Sequence, residues 1–207
     1  MSAEWDSLGT GGPIIALLAA LSLLSLTLIA VKVIQLWSAR SGTERRARAF
    51  GLWAEGDRHA AQQLVDQGAA PADRITAYAM AALAKGFRGP RLEAELVRRG
   101  NGEVAQMGSS IRIIEIIAVI SPLLGLLGTV LGMIQSFQEL ALAEGAANAS
   151  VLAGGIWQAL LTTAAGLLVA IPAAVAAGLL SARIDSAAQM IESAVGELLL
   201  IDEKPPL

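Results

Sequence analysis

Apolar residues gather in three long runs, and most of the polar residues lie in the segment between the first two. The runs cover residues 13–31, 113–137 and 155–180, and Glu115 is the only charged residue in any of them. A helix needs about 20 apolar residues to cross the hydrocarbon of a bilayer. The pattern therefore predicts three transmembrane helices, and no segment shows the alternation typical of a strand.

The polar segment between the first two runs also has helical spacing of its apolar positions. Glycines and prolines divide it, and the residues after the third run form an amphipathic stripe that is expected to continue that helix into water. The expected helices are 43–67 ended by Gly68, 72–85 begun by Pro71 and closed by Gly86, 90–99 ended by a turn at 100–102, 103–120 running into the second span, and 183–200.

Composition and charge agree with a membrane protein and orient it. The 207 residues are 55% hydrophobic and 16% charged. Residues 32–112 carry 13 of the 15 basic residues, so by the positive-inside rule this segment stays in the cytoplasm. The predicted order is a periplasmic N-terminus (1–12), first span (13–31), cytoplasmic helical region (32–112), second span (113–140), periplasmic hairpin (141–154), third span (155–182) and cytoplasmic C-terminal helix and tail (183–207).

Several kinds of chemistry are not expected. The N-terminus has Glu4 and Asp6 before the apolar run instead of basic residues, which favours a retained anchor over a cleaved signal peptide. There is no Cys, and the single His59 cannot hold a metal by itself. Nucleotide-binding and zinc-protease motifs are absent as well. We expect no enzyme activity, no metal, no cofactor and no nucleic-acid partner.

The second and third spans each carry one face of small residues. Small residues let membrane helices approach closely, so packing is the favoured interpretation over a direct role in transport. The faces comprise Ser121, Gly125, Gly128 and Gly132 in the second span, and Ala159, Thr163, Gly166, Ala170, Ala173 and Ala177 in the third.

Prolines and hydroxyls in the same spans leave two interpretations open. Pro122 and Pro172 each free a backbone carbonyl one turn earlier, which fits either kinked packing or a hydrated pathway. A hydroxyl can bond back to its own helix or line a pore, and an amide can join helices or line a pore. The residues concerned are Thr129, Thr162, Thr163 and Gln158.

No ionisable group lies at the centre of a span. Glu115 is near the cytoplasmic edge, where an i,i+3 pair with Arg112 is preferred to a role as a proton-exit carboxylate. Proton transport normally needs an ionisable group partway across. Either the protein conducts no ions, or a partner helix supplies a carboxylate. The small polar faces favour the partner.

At these residues the chain resembles the ExbB/TolQ/MotA proton-channel family. The segments SPLLGLLGTVLGMIQSF (121–137) and GGIWQALLTTAAGLLVAIPA (154–173) are similar to its two signature helices. Three spans with one large cytoplasmic loop resemble ExbB and TolQ more than the four-span MotA stators. The resemblance implies an all-α membrane protein that assembles as a homo-oligomeric ring, a pentamer.

The resemblance also implies partners and site residues. A single-span protein of the ExbD/TolR type would supply a membrane Asp inside the ring, facing Thr129 and Thr163. Glu115 matches an acid at the start of the second span. Gln158 departs from the family, which usually has Glu there, and an amide cannot titrate.

The function implied is an inner-membrane motor subunit. It would couple the proton motive force to a TonB-like protein that drives outer-membrane transport. The alternatives are a TolQ-like role in envelope maintenance and a membrane scaffold that conducts no ions.

Overall fold

The computed structural model describes residues 11–37, 39, 41–142 and 149–203, and everything it describes as regular structure is helical. Three of the helices are long and apolar enough to cross a membrane, at Gly12–Leu36, within Pro90–Leu142 and within Leu152–Glu203. This agrees with the predicted all-α class and with a multi-pass membrane protein. The described helices are α1 (Gly11–Leu36), α2 (Thr43–Ala54), α3 (Arg58–Asp66), α4 (Pro71–Ala84), α5 (Pro90–Gly108), α6 (Ile111–Leu142) and α7 (Ala149–Glu203).

Contacts divide the chain into two units of different chemistry. The apolar unit contains the described residues of 11–31 and Ile111–Gly178, and the charged unit contains those of Lys32–Ser110 and 179–203. Helix α7 is continuous and contributes residues to both units. This single helix agrees with the expected continuation of the third span through residues 183–200. The core of the predicted hairpin, 143–148, lies outside the described residues.

Two predicted boundaries in the charged unit are wrong. The expected helix over 43–67 is two helices, because Gly56 has a φ of 90° and Asp57 starts α3 by accepting from the Ala60 N–H. The expected turn at 100–102 is absent, since α5 runs through it to Gly108. Gly100 is buried there, and an added Cβ would lie 3.3 Å from Ile191 Cγ2. This glycine serves close packing rather than a turn.

The charged unit has its own hydrophobic core. Side chains from α2, α3, α4 and α5 meet the polar end of α7 around Trp53, Met80 and Leu198. The spacing of the apolar residues buries one stripe of each helix, which is what holds short amphipathic helices together in water. The predicted stripe on α7 is confirmed in part by its buried members Ile184, Ala187, Ile191, Ala194 and Leu198.

A buried carboxylate ties α2 to α4. Asp73 is fully buried, and its two oxygens accept from Arg46 Nη1 at 2.6 Å and Arg45 Nη2 at 2.7 Å. Gly42 and Gly68 make room for it, because a Cβ at either position would lie within 2.8 Å of a carboxylate oxygen. Burying an unpaired carboxylate would be costly, and the two guanidinium groups offset that cost.

A second carboxylate holds the end of α7. Asp202 Oδ2 accepts from Arg88 Nε at 2.8 Å, and its Oδ1 accepts from Trp53 Nε1 at 3.3 Å. Arg58 lies 3.5 Å from Oδ1 and stacks over the Trp53 ring. Three separate segments therefore converge on one side chain of α7.

Ion pairs on the surface of the charged unit act locally. The Glu95 carboxylate accepts hydrogen bonds from Arg98 and Arg99, which lowers its pKa to about 2. Arg74 pairs with Glu103, and this hydrogen bond raises the pKa of the guanidinium. Exposed pairs of this kind contribute little to stability.

We predict that Asp73→Asn destabilises the charged unit. The amide leaves the buried Arg46 without a counter-charge, and breaking a buried pair typically costs about 3–5 kcal/mol. The thermal unfolding midpoint of the detergent-solubilised protein, followed by circular dichroism, should fall well below that of the parent. Asp66→Asn is the matched control, because Asp66 is exposed. Equal midpoints for the two variants would contradict a structural role for the Asp73 pair.

Candidate functional site

Helices α6 and α7 approach each other through their small faces. A Cβ added to Gly125 would lie 2.8 Å from the backbone oxygen of Thr162, and one added to Gly128 would lie 2.3 Å from Thr162 Oγ1. Real Cβ atoms do not approach so closely, so these two positions accept only glycine without movement. The backbones of the two helices are in contact here, through the faces that carry these glycines.

The contact continues in both directions along the helices. Gly132 faces Ala159, and a Cβ added to Gly132 would lie 3.1 Å from the alanine Cβ. Gly166 faces Ser121, and a Cβ added to Gly166 would lie 2.5 Å from the Ser121 backbone oxygen. Residues further along α6 contact residues that come earlier in α7, so the two helices run antiparallel. We call this contact the seam, and it consists of Ser121, Gly125, Gly128, Gly132 and Ser136 on α6 and Gly155, Ala159, Thr162, Thr163 and Gly166 on α7.

Two threonine hydroxyls meet one carbonyl at the centre of the seam. Thr162 Oγ1 lies 3.1 Å from the Gly125 carbonyl oxygen and 2.7 Å from the Ala159 carbonyl oxygen of its own helix. Thr163 Oγ1 lies 3.2 Å from the same Gly125 oxygen. Thr162 is fully buried, whereas Thr163 is half-buried and so remains within reach of another molecule.

Other predicted residues lie along or beside the seam. Ser121 is buried, and its hydroxyl donates to the Ile117 carbonyl of its own helix at 2.7 Å. Gln158 is half-buried and follows Trp157, which is exposed. Pro122 and Pro172 both sit inside continuous helices. Their rings leave the carbonyls of Ala118 and Leu168 without a helical donor.

Thr129 lies away from the centre of the seam. It is half-buried, and its hydroxyl donates to the Leu126 carbonyl at 2.7 Å. The side chain borders an open groove of about 590 Å³ on α6. The described lining is apolar apart from Thr129 and Gln138, and the groove therefore suits a hydrophobic occupant with a small polar contact. The other described lining residues are Val130, Met133, Ile134, Phe137 and Ala141.

Glu115 does not form the expected pair. Both Glu115 and Arg112 are exposed near the start of α6, and no ion pair joins them in the described part of the chain. The preferred i,i+3 interpretation is therefore wrong. Helical spacing brings the two side chains to neighbouring positions, but at an exposed site it does not fix their rotamers.

The sequence contains no charged residue in either helix over the length of the seam, from Ile116 to Gln138 and from Gly155 to Ala182. Among the described residues, no group of His, Asp and Glu is placed to hold a metal ion. The seam can therefore donate and accept hydrogen bonds, but it cannot store a proton by itself.

The sequence pattern did not predict two positions of the seam. Ser136 and Gly155 extend it by one turn, since a Cβ on Gly155 would meet Ser136 Oγ at 1.8 Å. Ser136 follows Gly132 by four residues, so the spacing of the small face was a usable signal. The helical periodicity also placed Thr163 on the small face of α7, whereas Thr162 is the threonine enclosed in the contact.

Comparison with known proteins identifies the family. The model of the MotA/TolQ/ExbB proton channel family matches residues 67–193, which is more than half of the chain. The chain belongs to this family, and the resemblance found in the two signature helices is confirmed. The family is one of membrane proton channels and not a class of enzyme.

Individual relatives carry two different names. The chain is 54% identical to biopolymer transport protein exbB1 of Vibrio cholerae over 76 residues, which is 37% of this chain and 33% of the relative. It is 37% identical to biopolymer transport protein ExbB of Salmonella typhimurium over 122 residues, 58% of this chain and 46% of the relative. It is 35% identical to the Tol-Pal system protein TolQ of Haemophilus influenzae over 101 residues, 49% of this chain and 44% of the relative. The matches thus span between a third and just under half of these relatives.

We predict that Gly128→Ala disrupts the seam and Gly178→Ala does not. The added methyl at Gly128 collides with the buried Thr162 side chain, whereas a methyl added to Gly178, on α7, would have no described atom beyond its own helix backbone within 4 Å. Overpacking of this kind typically costs about 1–3 kcal/mol. The thermal midpoint in detergent should fall for the first variant and stay near the parent for the second. A parent-like Gly128→Ala protein would show that the two helices do not touch there.

Proposed function

We propose that this chain is the channel-forming subunit of a proton-driven motor in the bacterial inner membrane. Membership of the proton channel family supports the class of activity. The observation that carries the proposal is the half-buried Thr163 hydroxyl, held beside the Gly125 carbonyl in a seam with no charged side chain. Such a seam can orient a proton carrier, but it needs that carrier from outside.

The carrier in this proposal is a carboxyl group on a single-span partner of the ExbD/TolR type. The transmembrane helices of two partner copies, lying inside a ring formed by this chain, would place an Asp against Thr163 and Thr129. The ring is five copies of this chain, with α6 and the apolar half of α7 facing the centre. The open groove beside Thr129 supports an apolar contact on that side of α6. A carboxylate accepting from a threonine hydroxyl is held in its charged form.

The orientation follows from the charge distribution. The charged unit contains nearly all the basic residues, so it lies in the cytoplasm, with the N-terminus in the periplasm and the C-terminus in the cytoplasm. Each proton that enters yields about 2.3 kcal/mol per 100 mV of membrane potential. Protonating and releasing the partner carboxyl changes which subunit it prefers, and repeated steps would turn the inner helices relative to the ring.

The motion would be passed to a TonB-like protein for outer-membrane transport. Similarity to proteins named as biopolymer transport proteins favours this role. Similarity to a TolQ protein of the Tol-Pal system supports the second candidate, envelope maintenance. Affinity purification of the tagged chain from its native host separates them, since a TonB-like partner supports the first and Tol-Pal components support the second.

We predict that Thr163→Val lowers proton flux through the complex with its single-span partner. The substitution is nearly isosteric, so the assembly should remain intact while the hydroxyl that contacts the carboxylate is lost. A hydrogen bond to a charged group is worth about 1.5–3 kcal/mol, so the flux should fall roughly tenfold to a hundredfold. The measurement is dye-reported proton uptake into liposomes holding the purified complex.

Two controls make this result specific. Thr163→Ser keeps the hydroxyl and should retain most of the flux. Thr27→Val removes an exposed hydroxyl of α1 that donates to the Leu23 carbonyl of its own helix, so the flux should not change. Parental flux in Thr163→Val would count against the site. Rapid, selective proton leakage from the chain without any partner would remove the need for a partner carboxyl.

We predict that Gln158→Glu changes the pH dependence of this flux if the position lies in the proton path. The family usually has Glu there, and a carboxyl can take up a proton that the amide cannot. Flux should be measured between pH 5 and 8 in the same liposomes. An unchanged profile would assign Gln158 to helix packing.

A further inference from the structure

We propose that Thr162 is a positioning residue that controls whether the Thr163 hydroxyl is available to an incoming carboxylate. The inference rests on the proposed function, because it concerns the same site. Its basis is the shared acceptor, since both hydroxyls reach the Gly125 carbonyl oxygen, at 3.1 Å for Thr162 and 3.2 Å for Thr163.

The Thr162 hydroxyl has one proton and two acceptors. The Ala159 carbonyl is the nearer, at 2.7 Å, and the Gly125 carbonyl is at 3.1 Å. A hydroxyl donates one hydrogen bond at a time, so its proton serves one helix or the other. The side chain is fully buried against Gly128, so no water or lipid competes for it.

The Gly125 carbonyl cannot hold every donor that reaches it. As a residue inside α6 it already accepts from the backbone N–H four residues later. Two threonine hydroxyls bring the possible donors to three, and a carbonyl oxygen has two lone pairs. One hydroxyl proton is therefore surplus, and Thr163 is the threonine exposed enough to donate it elsewhere.

Two arrangements of the same atoms follow. When Thr162 donates to Ala159, Thr163 donates to Gly125 and its proton is occupied. When Thr162 donates to Gly125, the Thr163 proton is released towards the partner. Thr162 thus lowers the cost of turning the Thr163 hydroxyl away from the seam, although Thr162 itself never touches the carboxylate.

Charged side chains do not supply an alternative cause of pH dependence at this site. In the sequence, α6 has none between Ile116 and Gln138, and α7 has none between Gly155 and Ala182. Helix α1, whose Ile14 and Leu18 pack with Ile117 and Val169 in the apolar unit, has none from Gly11 to Val31. The nearest candidates along α6 are Glu115 and Glu139.

The test compares Thr162→Val with Thr162→Ser in the complex purified through a tag on this chain. Valine keeps the shape and removes the hydroxyl, so Thr163 stays on Gly125 and the carboxyl remains protonated to a higher pH. We expect the midpoint of the flux profile to move up by about one pH unit. Serine keeps the hydroxyl and should keep the parental midpoint, although losing the methyl beside Gly128 lowers the thermal midpoint.

The outcomes separate this inference from the proposed function. A role in packing alone predicts the reverse order, with serine the more disturbed variant and no shift in the pH profile for valine. A parental profile for Thr162→Val while Thr163→Val loses flux overturns the role of Thr162 alone. No effect of Thr163→Val overturns both. If Thr162→Val fails to assemble, Thr162→Ala removes the hydroxyl without adding bulk and should show the same shift.

Discussion

The close approach of α6 and α7 is the constraint on which the rest of the apolar unit depends. Lipid gives no hydrophobic drive for helices to associate, so they must gain contact through packing and hydrogen bonds. Glycines at 125 and 128 bring the two backbones together, and only then can Thr162 and Thr163 on one helix reach a carbonyl on the other. The hydrogen bonds of the seam therefore depend on glycines, whose lack of a side chain lets the two backbones approach.

The helices of the charged unit associate through burial of apolar side chains from water and through ion pairs, rather than through close backbone contact. Water drives its amphipathic helices together, and two buried carboxylates fix how they meet. Asp73 joins α2 to α4 through Arg45 and Arg46, and Asp202 holds the end of α7 through Arg88 and Trp53. Because α7 is one continuous helix, its apolar half carries the seam and its polar half is fixed in this core.

An uncharged seam accounts for the proposed need for a partner. Membership of the MotA/TolQ/ExbB proton channel family gives the class of protein, and the lack of a charged side chain along the seam is the reason why the proposal includes a partner. Hydroxyls can orient a proton, but they do not titrate near neutral pH. In the proposed mechanism the carboxyl that does so comes from another helix, and the half-buried Thr163 receives it.

Sequence alone determined the all-α class, the three apolar spans and the small faces, because each follows from local periodicity and composition. It missed the break at Gly56, where the backbone has a positive φ, and it predicted a break near Gly100 that is absent, since that glycine serves a close contact with α7 that only the tertiary structure reveals. It likewise could not separate Thr162 from Thr163, or show that Glu115 stands apart from Arg112. Adjacent residues differ by about 100° around a helix axis, so the tertiary contact sets which one is enclosed and which remains free to act.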